Sequence, residues 1–80
     1  MAVKLLFFAQ CAQWLGRKDF SISAPKPVSL RKLIAGVPEL AALTANQGAL
    51  RVAVNSEYAD FNAEVSDGDE VAFLPPFSGG

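Results

Sequence analysis

Apolar alternation at the two ends of the chain limits its fold more than any other feature. Residues 3–10, VKLLFFAQ, set Val3, Leu5, Phe7 and Ala9 on one side and Lys4, Leu6, Phe8 and Gln10 on the other, the period of a strand. Residues 70–74, EVAFL, set Val71 and Phe73 against Glu70, Ala72 and Leu74 in the same way. Pro75-Pro76 stops this second strand, because proline has no N–H for a sheet ladder. The period changes between the two. Leu30, Leu33, Ile34 and Val37 recur at helical spacing, Ser29 stands where an N-cap hydroxyl belongs, and Gly36 and Pro38 close the segment.

Shorter signals fill the rest. FSISA at 20–24 alternates with Phe20 and Ile22 inward, and a turn or helical turn over 13–19 makes it the return strand of a first hairpin. Residues 39–45 suggest one more helical turn. LRVAV at 50–54 is a strand with Leu50, Val52 and Val54 on one face, and Asn55-Ser56 turns the chain into a short return strand at 57–59. Asp67-Gly68-Asp69 is a strong turn signal. The order is β-β-α-β-(β)-β, and a right-handed crossover places the last strand beside the first. This is the β-grasp, or ubiquitin-like, architecture: α+β, a mixed sheet with one main helix packed on one face. The expected domain covers residues 1–76, with a flexible Gly-Gly tail at 77–80.

Composition narrows the function. Eighty residues make one small domain, burying roughly 60–65% of the surface that its unfolded chain exposes. Seven Lys and Arg against eight Asp and Glu give a net charge of −1, so neither nucleic acid nor an anionic membrane is an expected partner. There is no His and a single Cys. That excludes an internal disulfide and a Cys-rich metal site, and leaves Cys11 without a His to activate it. Cys11 reads as a small apolar residue near the end of a strand. Asp67, Asp69 and Glu70 read as turn residues, so no metal is expected. No catalytic machinery of the chain's own is evident. The apolar run at residues 5–9 is short of the ~7–15 residues of a secretory leader, and a cytoplasmic location is expected.

The ending carries the chemistry. Pro75-Pro76 favours an extended stem. Residues 77–80, FSGG, then reach up to ~13–14 Å, and the two glycines lack the Cβ that would jam in a narrow channel. The terminal carboxylate is a poor electrophile until another enzyme activates it, for instance as an acyl-adenylate.

Several runs together carry a family likeness: Leu6-Phe7-Phe8-Ala9-Gln10, Val54-Asn55, the stretch Asp67-Gly68-Asp69-Glu70-Val71-Ala72-Phe73, and Pro75-Pro76-Phe77-Ser78-Gly79-Gly80. On these the chain resembles the sulfur-carrier branch of the ubiquitin-like proteins, above all the small subunits of molybdopterin synthase. The resemblance implies that an E1-like adenylating enzyme activates Gly80 with ATP and Mg. The acyl-adenylate becomes a thiocarboxylate, which gives its sulfur to cyclic pyranopterin monophosphate inside the large subunit of the synthase, in a heterotetramer. It makes Gly80 the carrier, with Gly79, Ser78, Phe77, Leu74, Phe8 and Tyr58 as partner-binding residues. No cofactor is implied for the chain itself. Relatives often carry a basic and an acidic residue where this chain has Ala12 and Gln13, which puts a charge-pair contact at that corner in doubt. A thiamine-pathway sulfur carrier, a ubiquitin-like protein modifier and a non-covalent β-grasp interaction module are the rival readings.

Overall fold

The computed structural model describes residues 1–75, with the side chain of Gln47 left aside. Five strands form the main sheet: β1 (Val3–Phe7), β2 (Asp19–Ile22), β4 (Arg51–Val54), β5 (Glu57–Ala59) and β7 (Glu70–Leu74). Their spatial order is β2-β1-β7-β4-β5. β1 and β7 run parallel at the centre, with Leu5 opposite Val71 and Phe7 opposite Phe73, and the remaining pairings are antiparallel. The terminal strands therefore lie side by side, as the crossover argument requires, and the fold is an α+β β-grasp.

Helices cover one face, in pieces rather than as the one main helix expected. They are α1 (Gln10–Leu15), α2 (Leu30–Ala35) and α3 (Ala41–Ala45), with α3 touching both of the others. The division is written in the residues. Ser29 caps α2, its Oγ accepting the Lys32 N–H at 3.3 Å. Gly36 and Pro38 stop the same helix after six residues. Three further expectations need correction. The first strand ends at Phe7, not at residue 10, because Ala9 takes φ 49° and ψ −123° and turns the chain into α1. Cys11 consequently lies inside a helix, fully buried, rather than at a strand end. The second strand spans Asp19–Ile22 and not 20–24.

A two-stranded sheet of β3 (Val28–Ser29) and β6 (Glu64–Val65) was not signalled by any periodicity. Two residues per strand are too few to show alternation. The core lies between main sheet and helices. Val3, Leu5, Val71 and Phe73 face Leu30, Ile34, Leu40 and Leu43, all without solvent exposure. Phe73 is its aromatic hub, with ring centroids 5.8 Å from Phe7 and 6.0 Å from Phe61. Among the described residues no helix is long and apolar enough to cross a membrane.

Candidate functional site

Among the described residues the other face of the sheet has no layer over it, and the strand register lays it out row by row. Residues directly paired across strands share a face. One row therefore runs Asp19, Leu6, Ala72, Ala53, Tyr58. A second row, nearer the end of β7, sets Arg51 opposite Leu74. Phe8 follows β1 at the same end, its N–H donating to the Phe73 carbonyl at 3.2 Å. At the start of β7 a third row runs Ser21, Lys4, Glu70. The uncovered face is thus polar where β7 begins and apolar where it ends, at the point from which residues 76–80 continue.

Exposure follows the same gradient. Phe8 is 46% exposed and Tyr58 77%, while Leu74 is half-buried. Single exposed apolar residues are ordinary, but a contiguous set marks a binding surface. Ala53 and Ala72 are too short to fill the middle of the face. A hollow of about 250 Å³ results, lined by Ala53, Ser56, Tyr58, Ala72 and Leu74. A second hollow of about 430 Å³ opens on the other flank, where Leu6, Phe8, Ala9 and Ala12 meet Lys18 and Asp19. The surface offers open depressions for a partner's side chains.

Of the residues singled out from sequence, the structure brings Tyr58 and Leu74 together at one hollow and places Phe8 at the other. Phe77, Ser78, Gly79 and Gly80 lie outside the described residues, as does Pro76. Arg51, Ala53 and Ala72 were missed as parts of the site. Their signal was the second phase of LRVAV, which holds Arg51 and Ala53, and of EVAFL, which holds Ala72 beside Leu74.

Groups that could have suggested other chemistry have structural occupations. Burial pushes the Cys11 thiol up from its ordinary value, which disfavours the thiolate a nucleophile needs. Asp67 Oδ1 accepts the Ala24 N–H at 2.7 Å. Asp69 accepts the Ser66 N–H at 2.9 Å and the Asn55 amide at 3.1 Å. The Ser66 bond first, and the Asn55 bond second, hold the Asp69 carboxyl below the usual carboxylate range. Asn55 has φ 50°, a conformation that asparagine tolerates better than most residues. Its Oδ1 accepts the Glu70 N–H at 3.0 Å. One side chain thereby ties the turn after β4 to the turn before β7. Among the described residues no cluster of three His, Cys, Asp or Glu could hold a metal ion.

Comparison with known proteins gives this geometry a context. A model of the ThiS family matches residues 5–80. The molybdopterin synthase sulfur carrier subunit of Escherichia coli is 39% identical over 80 residues, covering 98% of this chain and 99% of its own. A solved protein–protein complex of subunits 1 and 2 of the molybdopterin-converting factor from Helicobacter pylori contains a chain 31% identical, with a TM-score of 0.67 and full coverage of both chains. The small archaeal modifier protein 1 of Haloferax volcanii is 25% identical, with a TM-score of 0.80 and full coverage of both.

Proposed function

The chain belongs to the ThiS family, and from that premise we propose that it is the sulfur-carrier subunit of a molybdopterin synthase. One observation carries the reading: likeness over its whole length to the sulfur carrier subunit of Escherichia coli. The apolar end of the open face, which lies where β7 hands the chain on to Gly79 and Gly80, supports it.

The proposed chemistry runs as follows. An E1-like enzyme with Mg-ATP lets a Gly80 carboxylate oxygen attack the α-phosphate, and pyrophosphate leaves. Hydrosulfide released by a sulfur donor attacks the acyl carbon, the bond from that carbon to the phosphate oxygen breaks, AMP leaves, and loss of the S–H proton gives a thiocarboxylate at Gly80. The Phe8, Leu74 and Tyr58 surface docks on the large subunit, with Phe77 and Ser78 contacting it along the stem. Gly79, having no Cβ, lets the thiocarboxylate reach the pterin precursor in the partner. The chain supplies reach and a docking face, and its partners supply the catalytic groups. One buried cysteine and no disulfide suit a reducing cytoplasm.

Intact mass tests the reading. The full chain is incubated with Mg-ATP, the E1-like enzyme and a sulfur donor. A gain equal to one oxygen-for-sulfur exchange at Gly80 is expected. No gain, in a mixture that thiocarboxylates a known carrier, overturns it. The fold of the archaeal modifier favours a second reading, in which a lysine amine attacks the same acyl-adenylate, AMP leaves and an isopeptide bond forms. Conjugates on a blot of whole cells, absent when Gly79-Gly80 is deleted, would establish that activity.

A further inference from the structure

Arg51 stands out of character on the apolar end of the open face. Its cross-strand partner is Leu74. A hollow of about 290 Å³ beside it is lined by Arg51, Tyr58, Leu74 and Pro75, with no acid among them. The segment 51–80 contains six acids and Arg51 as its one base. The acid nearest in sequence register is Asp60, just beyond β5. Its Oδ1 is engaged in its own loop, accepting the Asn62 N–H at 2.8 Å.

This placement sets a condition on any partner. A surface that packs over Leu74 and Tyr58 also covers the Arg51 guanidinium. Burying an unpaired cation is costly, and a guanidinium cannot escape by losing its proton. A planar carboxylate answers the cost best, since it accepts two parallel N–H bonds from the guanidinium.

We propose that Arg51 is a specificity-determining residue of the docking face, pairing with an Asp or Glu side chain that the large synthase subunit presents beside the Leu74–Tyr58 hollow. The proposal rests on the sulfur-carrier reading and adds to it the charge chemistry of the partner. Apolar contact supplies area, and the arginine rejects partners that bring a cation or nothing polar to that point.

The test is calorimetric titration of the full chain against the isolated large subunit, with thermal melting of each variant as a check on folding. Arg51→Glu should weaken binding about 100-fold and Arg51→Gln about tenfold, the range expected when one member of a covered charge pair is reversed or removed. Raising the salt from about 0.05 M to about 0.5 M should narrow the gap between the unaltered chain and Arg51→Glu only slightly, because a covered pair is screened far less than an exposed one. If the unaltered chain binds and Arg51→Glu binds within about twofold of it, the pairing is overturned and the sulfur-carrier reading stands. A loss equal in Arg51→Gln and Arg51→Glu also overturns it, since that loss would be one of packing alone. Failure of the unaltered chain to bind overturns both.

Discussion

The two faces of the sheet are built from the same strands and have opposite fates. On β7, Val71 and Phe73 have no solvent exposure, while Ala72 and Leu74 between them remain partly exposed. On β1, Val3 and Leu5 are sealed, while Lys4 is exposed and Leu6 half-buried. Eighty residues provide one layer of short helices, enough to close one side of a five-stranded sheet. What is left uncovered need not be polar. Here it turns apolar toward the end of β7, where a partner can finish the burial that the chain leaves undone. Parity along a strand thus separates two jobs, one phase for stability and the other for docking.

Substitutions one residue apart can break that separation. Phe73→Ala should have the largest effect. It empties the aromatic hub between Phe7 and Phe61, at a cost of about 3–5 kcal/mol. A domain of this length has about 4–12 kcal/mol in all, at ~0.05–0.15 kcal/mol per residue. Thermal melting should show a midpoint lower by at least about 12 °C, or no cooperative transition. Phe8→Ala combined with Leu74→Ala lies in the other phase. It should lower the midpoint by less than half as much, yet weaken binding to the large subunit about 30-fold. Unchanged affinity by calorimetry would show that the apolar end of the face is not where the partner sits.

Signals with a local cause reached the structure, and features set by tertiary packing did not. The strand phases of β1 and β7, the Ser29 cap and the Asn55-Ser56 turn could all be read from residues, because each is a local rule with a local cause. The bend at Ala9 could not. Ala9 takes a positive φ between the buried Phe7 and Cys11, against alanine's own preference, and nothing in Phe8-Ala9-Gln10 announces it. The two-residue strands β3 and β6 escaped because two residues show no alternation, although Val65 is buried in the core and Val28 packs against it. Of the candidate site, the faces of Phe8 and Leu74 follow from strand phase, while Tyr58 came from the family resemblance. Arg51 and the two alanines that hollow the surface needed the register between strands, which only the folded sheet supplies.

The smallest expected effect concerns the polar end of the same face and sharpens the comparison from the far side. Asn55 links the two turns there, donating to Asp69 and accepting from Glu70. The Asp69 carboxyl is held below its ordinary range chiefly by the Ser66 N–H and secondarily by Asn55. A carboxyl with a depressed folded value stabilises the folded state above its unfolded value of about 3.9, and that contribution is lost as pH falls through the folded value. Unfolding midpoints in urea should therefore fall between about pH 4 and lower values by more in the unaltered chain than in Asp69→Asn, which has no proton to take up. At neutral pH Asp69→Asn should be slightly the less stable of the two, since an amide oxygen accepts the Ser66 N–H less strongly than a carboxylate does. Its affinity for the large subunit should match that of the unaltered chain. A loss of binding in Asp69→Asn without a loss of stability would mean that docking extends across the whole open face. The split between a polar end that holds the fold and an apolar end that meets the partner would then be wrong.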